Sequence, residues 1–266
     1  AFLKSPYVSK ISFTGSQRVG QILMRGAADG IKRLALELGG SAPVLVFDDV
    51  DIEAAAQQAV TAKFRNNGQV CISPTRFYVQ QNAYEDFLDA ARAAAEALVI
   101  GDGLRDGVTT GPLVTAAGRD KVELFVRDAV AKGATVITGG ARPAGLERGF
   151  FYQPTLLTNV SPLMRVSCEE VFGPVMPVTP FETLEDGLRL ANSTPFGLAG
   201  YVLTRDLSTA VRAYEGLEFG IVGVNDLVPA TAEGPFGGVK ESGWGREGSQ
   251  EGLREYLETK FVSIAL

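Results

Sequence analysis

Histidine is absent from all 266 residues. That absence excludes Ser-His-Asp and Cys-His hydrolases and almost every zinc enzyme, because each needs an imidazole as base or ligand. Cysteine is scarce. The two thiols, Cys71 and Cys168, form no CxxC pair and are too few for a metal cluster or a disulfide framework, which suits a reducing cytoplasm. No metal site is expected. A run of about 18 uncharged apolar residues is also missing, so no membrane-spanning helix is expected. The net charge is −6 and the basic residues are scattered, which leaves no nucleic-acid footprint. Acid–base chemistry then falls to Glu, Asp, Lys, Tyr or a thiol. The opening AFLKSPYVSK has no initiator Met and is neither a signal nor a transit peptide; it reads like the interior of a longer protein.

What is present is the composition of an ordinary globular chain, 45% hydrophobic and 21% charged, long enough for one large domain or two modest ones. Strands are expected at 11–14, 31–38, 43–47, 76–80, 134–138, 175–181, 199–204 and 221–225. Helices are expected at 16–30, 51–66, 83–98, 117–132, 184–192 and 207–215. The run PVLVF at 43–47 has the continuous apolar character of a strand buried on both faces, whereas 31–38 alternates. Repeated strand–helix alternation implies a mostly parallel sheet covered by helices, so the fold class is α/β. Residues 227–246 are loop-rich, and 248–266 hold a short helix and a strand-like end, KFVSIAL.

Several residues carry chemical interest. Cys71 follows Asn66-Asn67-Gly68-Gln69-Val70 at a helix end. A single cysteine is commonly a small buried thiol. A nucleophile needs instead a thiolate in a polar, partly exposed turn with backbone N–H groups nearby, which such a sequence supplies. Glu37 lies between two leucines and before Gly39-Gly40. A strand Glu can simply face solvent, but a carboxylate desolvated there would have a raised pKa and serve as a base near neutral pH. Gly15-Ser16-Gln17-Arg18-Val19-Gly20 follows a strand and opens a helix, which suits a phosphate or an ordinary turn. Glu170-Val171-Phe172-Gly173-Pro174 and Pro235-Phe236-Gly237-Gly238 read as turns.

Taken together these segments resemble the aldehyde dehydrogenase superfamily. FTGS with a Gly five residues after its own, ELGG, GQVC, EEVFGP, PFGG and SGWGRE stand in the family's order, and Glu37 and Cys71 are 34 positions apart (71 − 37) as the family places them. The likeness covers essentially the whole chain. It implies a catalytic domain of that family at 39–245, a remnant of the Rossmann-type cofactor domain at 1–38, and a tail at 246–266 returning to the cofactor and oligomerisation region. It further implies that Cys71 attacks an aldehyde, that its own N–H helps hold the oxyanion, and that Glu37 activates the water that hydrolyses the thioester. For NAD or NADP it implies Gly15, Ser16 and Gly20 near the pyrophosphate, Glu170 on the nicotinamide ribose, and Phe172 and Leu38 beside the nicotinamide. Glu247 matches a second glutamate implicated in proton transfer, and Phe236 would line the substrate tunnel.

The family's oxyanion Asn, and the Lys that holds the adenosine ribose, have no counterpart here and are expected upstream. A chain of these 266 residues is accordingly expected to be weakly active or inactive, and robust aldehyde-dependent NADH formation would refute that. Arg65, six residues before Cys71 (71 − 65), stands where succinate-semialdehyde dehydrogenases pair an Arg with the substrate's far carboxylate. The alternative is a helix Arg in a structural ion pair. Where many members of that subfamily have Ser before PFGG, this chain has Ala230 and Thr231, so the clamp would rely on the Thr231 hydroxyl. Ser73 replaces the second cysteine of some relatives, which excludes a local disulfide beside Cys71. The resemblance also implies a dimer or tetramer, paired through the tail.

Overall fold

Short Val- and Leu-rich strands alternate with Ala-rich helices, and the alternation builds two sheets. The computed structural model describes residues 1–266. The first third of the chain holds β1 (Lys10–Gly15), α1 (Gln17–Ala28), β2 (Arg33–Leu38), β3 (Ala42–Val46), α2 (Ile52–Phe64), β4 (Pro74–Gln80) and α3 (Tyr84–Glu96). Next come α4 (Ala116–Ala131), β5 (Thr135–Thr138), β6 (Thr155–Thr158), α5 (Arg165–Cys168), β7 (Val175–Phe181) and α6 (Leu184–Ala191). The last part holds β8 (Ala199–Leu203), α7 (Leu207–Gly216), β9 (Ile221–Val224), β10 (Gly243–Trp244) and α8 (Ser249–Arg254).

The larger sheet has seven strands in the order β5-β6-β7-β4-β3-β8-β9, parallel throughout except between β5 and β6. Period-2 geometry divides its side chains between two cores. Val44, Val46, Phe77, Val79 and Leu203 face α2 and α3, where Ala55, Ala59, Phe87 and Ala91 join one apolar cluster. Their neighbours Leu45, Phe47, Tyr78 and Val202 face the other way, onto Leu184, Ala191 and Ala213 of α6 and α7. Asp51, Thr183 and Asp206 cap α2, α6 and α7 by accepting from backbone N–H groups, so these helices begin at defined residues. The class is therefore α/β with a mostly parallel sheet.

The smaller sheet, β1-β2-β10, pairs β2 in parallel with β1 and antiparallel with β10. Three expectations need correcting. The alternation read in 31–38 does not hold, because Ala35 to Leu38 are all buried: β2 is central in its sheet and covered on both faces. The strand-like KFVSIAL forms no strand, since nothing in this chain offers its backbone a ladder partner, and its side chains are exposed. The helix expected over 51–66 stops at Phe64, where Asn66 (φ 49°), Asn67 (φ 56°) and Gly68 (φ 72°) turn left-handed. The strand β6 was not expected from the sequence, where TLLT is too short to show a period; the structure buries all four of its residues.

Candidate functional site

The turn Gly39-Gly40-Ser41 carries the chain from β2 in one sheet to β3 in the other. Two glycines leave room there that no side chain could share. A methyl on Gly39 would collide with the Glu170 carboxylate, and one on Gly40 would press on the Cys71 carbonyl oxygen, 3.1 Å away, and on Leu198. The backbone of the turn is held from outside. Ser242 Oγ donates to the Gly39 carbonyl (2.8 Å) and accepts from the Gly197 N–H (2.9 Å), while Arg76 Nη2 donates to the Ser41 carbonyl (2.8 Å). The Gly40 N–H serves the Glu170 carboxylate. Glu37, Cys71 and Glu170, distant in sequence, thus meet around one turn.

Glu37 is 4% exposed, and its Oε1 has no hydrogen-bond partner. Burial, then the negative charges of Glu247 and Glu170, push its carboxyl up from 4.5 to about 7. The reason goes beyond the flanking leucines: β10 sets Gly243 opposite Glu37, and the same loop brings Glu247 to it.

Cys71 sits half-buried after the left-handed kink, in the segment leading into β4. The kink lets the backbone N–H groups of Cys71 and Ile72 serve the sulfur, which favours the thiolate, but burial and the Glu37 charge outweigh them and push the thiol up to about 11. The expected resting thiolate is thus replaced by a neutral thiol beside a carboxyl that titrates near neutrality, because the pocket is drier and more negative than an exposed turn would be. Glu170, raised by burial, is pulled back in part by Lys121 and the Gly40 N–H.

The other expected residues divide into two groups. Phe236 and Glu247 exchange backbone hydrogen bonds (2.8 and 2.7 Å) and, with Glu37 and Arg246, line one crevice. Leu38, 6% exposed, closes the end of β2 and packs where a side chain on Gly20 would stand. Gly15 ends β1, and Ser16 opens α1 without a side-chain cap. Phe172, 43% exposed, follows Glu170. Arg65 and Thr231 lie on the surface. Arg65 is at the C-terminal cap of α2 rather than within the helix, and its guanidinium enters no ion pair. Sequence reasoning passed over Ser242, Arg76 and Lys63. A cation inside the apolar run RFYVQ was the available signal for Arg76, and Lys63 in the Ala-rich α2 was a similar one.

Two broad surface cavities, 630 Å³ beside α2 and α3 and 690 Å³ under the N-terminal loop, contain none of these groups. The chemistry of the site is set by its titratable groups rather than by surface relief. The residues at the start of α1 fit a dinucleotide's phosphates, since an uncapped helix N-terminus presents free N–H groups and the positive end of the dipole. Glu170, aimed at the Gly39-Gly40 turn, fits a ribose diol as acceptor.

Comparison with known proteins adds a second line of observation. A family model described as the aldehyde dehydrogenase family matches residues 1–262. The mitochondrial succinate-semialdehyde dehydrogenase of Arabidopsis thaliana is 50% identical over 265 residues, covering 99% of this chain and 50% of that protein. A glutarate-semialdehyde dehydrogenase of Pseudomonas aeruginosa is 46% identical over 260 residues, covering 98% and 53% respectively. Among solved structures, an Escherichia coli NADP-dependent enzyme superposes with a TM-score of 0.97 at 46% identity, covering all of this chain and 55% of its own. The chain spans about half the length of the curated relatives it matches.

Proposed function

The chain belongs to the aldehyde dehydrogenase family, and on that premise we propose that its site carries the nucleophile and base for NAD(P)-dependent oxidation of an aldehyde to a carboxylate. The observation that carries the reading is the meeting of Cys71, Glu37 and Glu170 at the Gly39-Gly40 turn. When bound, the nicotinamide supplies the hydride acceptor. Gly15, Ser16 and Gly20 at the start of α1 would hold the pyrophosphate, Glu170 the ribose hydroxyls, and Leu38 and Phe172 the ring. NAD and NADP both remain open to such a site.

The proton chemistry follows from the two raised pKa values. Where Glu37 is ionised the resting pair is thiol and carboxylate, so Glu37 takes the Cys71 proton only as sulfur attacks the carbonyl. The Cys71 N–H stabilises the oxyanion of the thiohemiacetal. Once the adduct has given up its hydride, Cys71 carries a thioester, and Glu37, ionised about half the time near pH 7, deprotonates the attacking water. Before hydrolysis Glu37 sheds the Cys71 proton to solvent by way of Glu247, which is exposed and whose charge acts on Glu37. The proton it then takes from water returns to the departing Cys71 thiolate and restores the thiol.

The substrate reading is a semialdehyde, succinate semialdehyde first and glutarate semialdehyde next. The free guanidinium of Arg65 supports it, since an exposed Arg without an internal carboxylate can take one from a ligand. Thr231 would add a hydroxyl and Phe236 the tunnel wall. Oxidation of another aldehyde is the alternative, and Arg65→Ala in an enzyme restored to full length decides: an unchanged preference for succinate semialdehyde over neutral aldehydes removes Arg65 from the role. The division into 1–38, 39–245 and 246–266, self-association through the exposed tail and a reducing cytoplasmic setting belong to the same proposal.

One observation favours a second reading, a folded remnant without turnover: the Cys71 thiol is pushed up to about 11, and a poorly ionised thiol is a slow nucleophile unless a base assists it. A cofactor-free half-reaction separates the two. With p-nitrophenyl acetate, a working site releases p-nitrophenol, and Glu37→Gln slows turnover by about 10²–10⁴ through slower acylation, deacylation or both. If Cys71→Ala matches the parent chain, the thiol performs no catalysis and the remnant reading stands.

A further inference from the structure

Arg76 is 2% exposed, among the largest fully enclosed side chains of the molecule, and has no carboxylate partner. Its donors reach neutral acceptors on three elements. Nε and Nη2 both point at the Ser41 carbonyl (3.2 and 2.8 Å), at the entrance to β3. Nη2 also donates to the Ala191 carbonyl (2.8 Å) and approaches Thr194 Oγ1 (3.5 Å), and Nη1 donates to the Leu190 carbonyl (3.0 Å) and Tyr78 Oη (3.1 Å). Leu190 and Ala191 end α6, so the guanidinium faces the negative end of that helix.

We propose that Arg76 is a positioning residue of the Cys71 site: by gripping the Ser41 carbonyl from the end of α6, it sets where the Gly39-Gly40-Ser41 turn lies against the sulfur and both carboxylates. Three observations converge on this. A buried cation without a counter-charge is unfavourable until its hydrogen bonds form, and an apolar side chain would fill the same volume without that penalty. The two glycines beside Ser41 have no side chains with which to anchor themselves, so their position must be imposed by neighbours. Glu170 and the Cys71 carbonyl occupy the space that side chains on Gly39 and Gly40 would need, and the Gly40 N–H donates to Glu170. The Ser242 hydroxyl holds the other end of the turn, at Gly39, which makes Arg76 the partner grip. Only a planar fork can place two N–H groups on one carbonyl while others reach a second element; an ammonium cannot.

The proposal uses the functional reading only in treating Cys71 as the reactive centre, and its test needs no dehydrogenase turnover. The groups that set the sulfur's titration are Glu37 and Glu170, with the Tyr201 hydroxyl also coupled to it. In the full chain carrying Cys168→Ser, the rate of Cys71 alkylation by iodoacetamide is followed against pH. Arg76→Lys keeps the charge but loses the fork, so the turn loosens, water enters and the midpoint falls by about half a pH unit, roughly a threefold change in rate at neutral pH. Val126→Ala, a truncation in the separate apolar cluster beneath α4, lowers the melting temperature without moving the midpoint. If Arg76→Lys does not fold, Tyr78→Phe removes one partner of the fork and a smaller fall is expected. A midpoint that stays at the parent value or rises in the folded variant overturns the proposal.

Discussion

At the scale of single residues, burial decides protonation. Glu37 is held up at about 7 against an ordinary 4.5, so it favours the folded state when protonated. That stability is fully present below pH 4.5, is lost as pH rises through about 7, and amounts to about 3 kcal/mol. Glu37→Gln should flatten this part of the pH profile, measured by urea unfolding on both sides of the window. It should also lower the midpoint of Cys71 alkylation, because the carboxylate charge is the second cause of the raised thiol. Lys63 has the opposite sign. Its Nζ is fully enclosed and unpartnered, and burial lowers it from 10.5 to about 7. Its contribution is present above pH 10.5 and lost as pH falls through about 7. Lys63→Met should therefore stabilise the chain at neutral pH by on the order of 3 kcal/mol, with the gain shrinking toward alkaline pH. An equal urea midpoint at neutral pH contradicts the enclosed-charge account. Glu37 and Cys71 were both legible as candidates from flanking residues and resemblance, but the neutral state of the thiol was not. It depends on Glu37, 34 positions away, and on burial that only the packed sheets supply.

At the scale of elements, the Cys71 segment and the Glu170 loop are fitted together by a missing side chain. Gly68 has φ 72°, and a methyl on it would strike the Gly173 carbonyl. Gly68→Ala should lower stability by about 1–3 kcal/mol through strain in the left-handed region, and more if the two segments separate. Urea unfolding measures the first effect; an altered Cys71 alkylation rate reports the second. The helices and most strands were legible because hydrophobic periodicity and caps act locally. What escaped were elements defined by partners. β10 is two residues long and exists only because β2 offers an edge, and β6 is four residues lying between β5 and β7. β2 itself was read as half-buried, and its true burial comes from the segments packed on both of its faces, α1 against Leu38 and the loop 236–247 against Glu37.

At the scale of the molecule, the tail holds a run of uncovered apolar residues. Phe261 is 90% exposed, Ile264 75% and Val262 64%, in a stretch with unpaired backbone. An extended apolar segment of this kind pairs readily with a sheet edge of a second copy. Phe261→Asp should shift the chain toward monomer in sedimentation velocity, at concentrations where the parent associates; identical sedimentation of the two would exclude the tail as the contact. Ile31, 91% exposed at the entrance to β2, offers a second apolar point on the smaller sheet.

The order of motifs, the α/β alternation and the candidates for nucleophile and base were determined by the linear sequence alone, because each is written in local patterns of residue type. Proton affinities, the grips of Arg76 and Ser242 on the Gly39–Ser41 turn, and the crevice shared by Glu37, Phe236 and Glu247 were decided by tertiary structure. These depend on which surfaces lose water together, and residues as far apart as Gly39 and Ser242 lose it together only after the sheets have packed.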